Sequence, residues 1–334
     1  MKRVIFSIAL SLVLITVSCT DDSNVVVVYT TVDQVFSEPV LKGFEEVTGI
    51  EVRAVYDTEE TKSTGILNRL IAEKDNPQCD VFWSGDPLRT IVLKNKDITT
   101  PYKSRMADDI DDVFKDPKGH WTGFSARARV LIYNKDLLDP ADVPRSVFDL
   151  TEEQYRGQVA IANPLFGTTT FQIAALFTIL GDKKAKQYLA DLKNNDLVIA
   201  TSNGDVKKRV SKGEIACGLT DTDDAFEAIK EGANVGIVFL DQQGIGTLIM
   251  PNTVNLINNA QHPGNGKELI GFLLSKETET TLANSCAQMP LHKGVKVPEG
   301  VPSLDNIVPM RIDYGKTAQT LEEIQSYLKE WVEN

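Results

Sequence analysis

Three carboxylates and two hydroxyls occupy five consecutive positions, Thr220-Asp221-Thr222-Asp223-Asp224. Oxygen donors at that density suit a hard metal ion or an ammonium group. They end the stretch Ile215–Ala225, I-A-C-G-L-T-D-T-D-D-A. Its apolar run Ile215–Leu219 predicts a buried strand, and Phe226, Ala228 and Ile229 predict a helix after it. In open α/β sheets ligands bind outside the carboxyl ends of strands, which is where this cluster falls. For any single residue the simpler role is a helix cap supplied by Asp223 or Asp224.

Other chemistry-bearing residues recur at the same kind of junction. Thr30-Thr31-Val32-Asp33 follows the strand-like run Val25–Tyr29, and Ser84-Gly85-Asp86-Pro87 follows Cys79–Trp83. Asp57–Ser63 follows Ile50–Tyr56. Gly167-Thr168-Thr169-Thr170 opens an apolar helix (Ile173 to Leu180) after the short strand Gln158–Ala162. A helix start with hydroxyls and a glycine beside it is one way to hold an anion; a threonine cap alone is the plainer alternative. Ser202-Asn203-Gly204-Asp205 starts another helix after Leu197–Thr201. Arg127 and Arg129 share one face of a long strand, Trp121–Asn134, by the period of two. For these arginines a solvated face or a salt bridge to an Asp is the alternative role.

The elements that position these residues alternate. Val25–Tyr29, Ile50–Tyr56 and Cys79–Trp83 are separated by helical patterns. In the first, Ser37 is placed to cap, Pro39 in the first turn, and Val40, Leu41, Phe44 and Val47 on the inner face. In the second, Ile66, Leu67, Leu70 and Ile71 face inward. That order predicts a parallel sheet with right-handed crossovers, so the polar loops share one edge. Trp121–Asn134 then leaves the first unit, and a second α/β unit follows it. Val235–Leu240 and the glycine-rich Asp241–Gly246 come next. Thr247–Ile257, broken at Pro251-Asn252, predicts a second crossing. A helix Lys267–Leu274 returns to the first unit. A C-terminal helix, about Lys316–Val332, puts Leu321, Ile324, Leu328 and Trp331 on one stripe.

The 334 residues carry a formal charge of −12 with 42% hydrophobic content. That acidity argues against nucleic acid and anionic membrane surfaces as partners. Lys2-Arg3 and the apolar Val4–Val17 form an export signal, too short for a comfortable membrane span. Thr16-Val17-Ser18-Cys19 resembles a bacterial lipobox, which implies removal of residues 1–18, a lipid on Cys19, and a tether over 19–24; an ordinary secretory signal is the alternative, and either predicts export. The remaining Cys79, Cys217 and Cys286 permit one disulfide at most. His120, His262 and His292 are scattered, without zinc spacing, and are expected in surface or turn roles; His262-Pro263-Gly264 looks like a turn. Asp221-x-Asp223 superficially matches a phosphatase nucleophile motif, but lies two-thirds along the chain, where that motif has no register. No other hydrolase motif, P-loop or EF-hand is present, so an enzyme is not expected.

The segments V-V-V-Y-T-T-V-D, G-F-E-E-V-T-G-I-E-V, L-I-A-E-K-D-N-P-Q-C-D-V-F-W, S-A-R-A-R-V-L-I-Y-N and G-T-L-I-M-P-N-T-V-N-L-I resemble periplasmic solute-binding proteins of ABC importers. More narrowly, they resemble the ferric-iron-binding branch of family 1. The resemblance implies an α/β, two-lobed fold (type II-like) with the ligand cleft between lobes. Residues 25–126 with about 254–305 would form one lobe, and about 127–253 with 306–334 the other. It implies a permease and an ATPase as partners and a monomer delivering solute from the periplasmic side of the envelope; a sensor that signals to a membrane receptor would need the same clam-shell.

Iron-binding relatives place two adjacent tyrosines where this chain has Thr220–Asp224, and none of its eight tyrosines adjoins another. Some carry a histidine ligand where Asp33 stands, and an acidic ligand that Asp86 matches. Two ligand types remain. Asp33, Asp86, Asp221 and Asp223 suit a hard metal such as Fe3+, carried as cargo with no resident cofactor, or an ammonium group. Gly167, Thr168 and Thr169, with Asn203 and Arg127, suit an oxyanion. The expected ligand set is Thr30, Thr31, Asp33, Ser84, Asp86, Arg127, Gly167, Thr168, Thr169, Asn203, Thr220, Asp221, Thr222 and Asp223. An organophosphonate or phosphorylated small molecule ranks first, ferric iron or an iron–anion complex second.

Overall fold

A computed structural model describes residues 24–57, 65–299, 301 and 303–334. The expected signal, Cys19, the tether, and Thr58–Ser63 of the second loop lie outside the described residues.

The first unit is β1 (Val25–Thr30), α1 (Gln34–Thr48), β2 (Glu51–Tyr56), α2 (Gly65–Ala72), β3 (Val81–Ser84) and α3 (Pro87–Asn95), followed by the short β4 (Thr99–Thr100). The long strand β5 (Thr122–Asn134) leads to β6 (Val159–Ala162), α4 (Gly167–Leu180), α5 (Asp182–Asn194), β7 (Val198–Ala200), α6 (Asn203–Ser211), β8 (Cys217–Asp221), α7 (Thr222–Lys230) and β9 (Val235–Val238). The chain closes with β10 (Ile249–Ile257), α8 (Pro263–Leu273), α9 (Lys276–Cys286) and α10 (Tyr314–Glu333).

The sheet order is β2-β1-β3-β10-β5-β8-β6-β7, with β4 on β10 and β9 on β5. The outer strands pair in parallel, as the alternation predicts. Between them β10 and β5 run antiparallel to their neighbours and to each other. β5 pairs with β10 through Ala128 and with β8 from Arg129, so its two halves serve different units. The break foreseen at Pro251-Asn252 is a bulge inside one continuous strand. The β-branched run of β1 is buried on both faces, as central parallel strands are.

Two large apolar clusters fill the molecule. One, with Phe44, Trp83 and Phe124, lies under α1, α8 and α9; the other, with Leu131, Phe171 and Trp331, lies under α4, α5 and α10. α10 buries Ile324, Leu328 and Trp331 on one stripe and packs on both α4 and α3. Gly218 allows α6 to lie close to β8, since a Cβ there would stand 2.5 Å from Val206 and 2.8 Å from the Ala160 carbonyl.

Several local expectations are corrected. Ser37 does not cap α1. The helix starts at Gln34, with Asp33 at the N-cap position, and the Ser37 hydroxyl donates to the Val32 and Asp33 carbonyls. Pro39 therefore falls inside the helix. Val47 is 71% exposed. His262 is no plain turn: it precedes α8, and its backbone N–H and Nδ1 both meet the buried Asp80 carboxylate. His292 is buried against Asp109 and the Leu274 carbonyl. Cys79, Cys217 and Cys286 are buried and free.

One buried carboxylate staples the crossing strand. Glu279 on α9 accepts the Ser125 and Leu291 N–H groups on Oε1 and that of His292 on Oε2. Ser125 has φ 41°, a left-handed conformation unusual for a residue with a Cβ. In Glu279→Gln the amide would turn a donor toward one of these donors, at a cost of about 2 kcal/mol. A urea unfolding midpoint equal to wild type would show that the staple contributes nothing.

Candidate functional site

A cleft of about 410 Å³ opens between the two units. Its walls are the ends of parallel strands: Thr31 after β1, Gly85 and Asp86 after β3, Asn163 after β6, Thr201 and Ser202 after β7, and Asp221 at the end of β8. That is the strand edge on which the sequence places the polar loops. Helix starts border it for the same topological reason. Asp33, Asp86 and Asp221 hold the N-cap positions of α1, α3 and α7; Ser202 caps α6, and Gly167 opens α4 with φ 61°. Each helix start presents free N–H groups and about half a unit of positive charge.

Acids answer that field on four of the five helices, Asp205 lying in the first turn of α6. Asp86 accepts the Leu88 and Arg89 N–H groups and forms an ion pair with Arg89. Burial lowers the Arg89 pKa to about 9, which still leaves a cation at neutral pH. Asp33 makes no side-chain capping bond. Asp221 makes none either, and Asp223 and Asp224 lie in the first turn of α7. The start of α4 is different. Its N-cap residue is Phe166, whose side chain cannot accept, and no acid lies in its first turn.

Beneath the cleft Asp221 and Arg129 form a buried knot. Arg129 Nη1 donates to Asp221 Oδ1 at 2.7 Å, to Asn203 Oδ1 at 3.0 Å and to Thr168 Oγ1 at 3.2 Å. Its Nε donates to Gln172 at 3.0 Å, and Nη2 to Thr169 at 3.4 Å. The Thr168 hydroxyl donates to Asp221 Oδ2 at 2.8 Å, and Asn203 Nδ2 donates to Thr168 at 2.8 Å. This network sets the starts of α4, α6 and α7 in one register. Arg127, on the same face of β5, reaches Asp223 at 3.4 Å, Asp221 at 3.6 Å and the Gly85 carbonyl at 2.8 Å. Its Nε is buried without a partner.

Of the expected residues, Thr31, Asp33, Asp86, Arg127, Gly167, Thr168, Asn203, Asp221 and Asp223 line the cleft. Thr30, Ser84, Thr169, Thr220 and Thr222 stand behind its surface, holding backbone or neighbouring side chains. Thr30 accepts the Val32 N–H, Ser84 the Asp86 N–H, and Thr222 the Ala128 N–H. Thr220 donates to Asp224 and to the Asn203 carbonyl. Arg89, Asn163, Phe166, Asp224, Asn252 and Gln288 also line the cleft but were not singled out as ligands. The signal for Asp224 was present, because it belongs to the acidic run. Asn163 and Phe166 lie in the turn between β6 and α4, a strand end like the rest; Arg89, Asn252 and Gln288 have no such signal, since tertiary packing brings them in.

Among the described residues, Asp221, Asp223 and Asp224 are the carboxylates grouped closely enough to hold a metal ion, with one oxygen from each within 4.8 Å of the others. Asp86 pairs with Arg89 and is not among them. Burial drives Asp223 above the usual carboxylate range, and Asp221 and Asp33 add to this while Arg127 opposes it. Burial, then Asp223 and Asp221, push Asp224 up to about 7, against the Thr220 hydrogen bond and Lys207. A raised carboxyl pKa means that the folded state holds a proton the unfolded chain releases near 3.8, so stability falls as pH rises from there to about 7 and is level above. Asp224→Asn is therefore expected to raise the unfolding temperature at pH 8 and to raise it progressively less toward pH 4. A gain independent of pH would mean that this carboxyl titrates normally.

The chain belongs to the bacterial extracellular solute-binding proteins, whose family model matches residues 40–304. The class is that of two-lobed receptors serving ABC importers. Among curated relatives, iron uptake protein A1 of Synechocystis sp. is 26% identical over 272 residues, 78% of this chain and 74% of that protein. A putative 2-aminoethylphosphonate-binding periplasmic protein of Salmonella typhi is 26% identical over 292 residues, 86% of this chain and 80% of that one. Among solved structures, iron-bound HitA from Pseudomonas aeruginosa shares the fold with a TM-score of 0.82 at 21% identity, covering 91% of this chain and 99% of that one.

Proposed function

We propose that this protein captures a small zwitterion, an organophosphonate or phosphorylated molecule with an amine, and delivers it to an ABC permease and ATPase. The observation that carries this reading is one cleft lined by two unlike sets of groups. Asp33, Asp223 and Asp224 offer an acidic wall to an ammonium group, while the acid-free start of α4 at Gly167 and Thr168 offers N–H groups to an oxyanion. Arg89 and Arg127 also line the cleft. The aminophosphonate-binding relative is consistent with that pairing.

Ferric iron is the second reading, favoured by the three clustered carboxylates and by the iron uptake relative. Against it, no tyrosine lines the cleft among the described residues, and Arg127 and Arg129 already neutralise part of the acidic cluster. Iron would be cargo in either case.

No bond is made or broken. Solute binds one lobe of an open form, closure adds contacts from the other, and preference for the closed form supplies the shift. The change of partner in β5 at Ala128 supports dividing the lobes into 25–126 with about 254–305, and about 127–253 with 306–334. The protein acts as an exported monomer, held to the membrane by a lipid on Cys19 once residues 1–18 are removed. Calorimetric titration of the metal-free protein with 2-aminoethylphosphonate, phosphoethanolamine, inorganic phosphate and ferric citrate tests the ligand. Tightest binding is expected for a zwitterion; heat with ferric citrate alone would transfer the assignment to iron.

A further inference from the structure

Arg127 is fixed from both sides of the cleft. Nη2 donates to the Gly85 carbonyl at 2.8 Å, and the Gly85 N–H is itself held by Thr31 Oγ1 at 2.9 Å. Nη1 stands 3.4 Å from Asp223 Oδ2 and 3.6 Å from Asp221 Oδ2. These are two of the three carboxylates whose oxygens lie close enough together to hold a metal ion. The guanidinium thus faces the cluster from the position of a counter-ion. We infer that Arg127 determines specificity by acting as an internal counter-cation, denying Asp221, Asp223 and Asp224 to hard metal ions while leaving room for the charge of one ammonium group. This deepens the proposed function and takes the charge of the solute from it.

The charges support the assignment. Asp221 faces two guanidiniums, Arg127 and Arg129, and Asp223 faces Arg127. With all three carboxylates ionised, two cations leave one negative unit, a charge that is complete only above the Asp224 value of about 7. A monovalent ammonium neutralises it; a trivalent metal would leave two positive units beside a fixed guanidinium. Withdrawal of Arg127 is hindered. Its residue pairs with Met250 in the sheet, and it would have to give up the Gly85 carbonyl. Burial disfavours its charge, but Asp223, Asp221, Asp33 and Asp224 together hold it above its usual range, so it does not vacate the position by losing a proton.

Titration of the metal-free full-length protein with terbium(III), a hard oxygen-seeking ion, tests this at pH 7. Arg127→Met is expected to bind one terbium per chain at least tenfold more tightly than wild type. Arg127→Lys, which keeps the charge, should stay near wild type. The gain should vanish in Arg127→Met/Asp223→Asn. If Arg127→Met does not fold, Arg127→Gln, which keeps a polar head on a similar stem, serves in its place. Two results would overturn the inference: a folded variant that gains nothing, or a wild type that already binds terbium tightly at a site Asp223→Asn removes. Titrating 2-aminoethylphosphonate into the same wild-type sample keeps the readings apart. No heat there, with the terbium pattern as expected, removes the zwitterion and leaves Arg127 in its role.

Discussion

Replacing Arg129 by methionine is expected to lower stability by about 3–5 kcal/mol, the cost of breaking a buried charge pair from one side. Arg129 and Asp221 are each 2% exposed, and the guanidinium serves five side chains on three elements. Methionine fills much of the volume but leaves Asp221 with a charge that Arg127, 3.6 Å away, only partly offsets. Ligand affinity should fall as well, because the same knot orients Thr168 and Asn203. In Arg129→Met/Asp221→Asn the stranded charge is gone, so part of the stability should return while binding stays weak. Urea unfolding of the two variants separates these effects. A loss below about 1 kcal/mol in the single variant would show that water or repacking satisfies Asp221.

Asp223→Ala is expected to weaken solute binding tenfold or more, about 1.4 kcal/mol at least. Asp223 lines the cleft in the first turn of α7, and Arg127 is its ion-pair partner. Removing it takes away an acidic contact for the ammonium group and leaves Arg127 less neutralised beside that group. Both changes disfavour a cation. A cation also needs the neighbouring carboxyl ionised, so wild-type affinity should drop as pH falls from 8 through the Asp224 value of about 7. Unchanged affinity in Asp223→Ala, measured by calorimetry, would reduce the acidic run to helix capping.

The sequence made the site's location legible through topology. Alternating β-branched runs and helical patterns require parallel strands, and parallel strands put Thr31, Asp33, Asp86, Asn203 and Asp221 at one edge. The boundaries were less legible where tertiary partners set them. β8 runs on through Thr220 and Asp221, two polar residues that look like loop, because Val130 and Arg129 of β5 pair with them and Arg129 neutralises the carboxylate. α9 went unseen because threonines weaken its local helical signal; the Ser275 cap and burial of Leu282 and Cys286 hold it. α5 could have been read from Ala185, Tyr188, Leu189 and Leu192, which repeat at helical spacing and are buried. Arg89 was hidden as a solvent-type residue on α3, since nothing local says that it will be buried beside Asp86 at the cleft. The hydroxyls of Thr30, Ser84, Thr169, Thr220 and Thr222 show the converse. Their types suit a ligand, but backbone and neighbouring side-chain partners claim them first.

The central claim is that the cleft holds a zwitterionic phosphorus compound, and mass spectrometry of the natively purified protein tests it most directly. The same sample would be sprayed intact, then denatured, with metal content measured in parallel. A mass excess matching a small aminophosphonate or phosphorylated amine, with no iron, is the expected result and would identify the solute. One iron per chain, with no organic phosphorus, would contradict the account and show that the clustered carboxylates hold a metal.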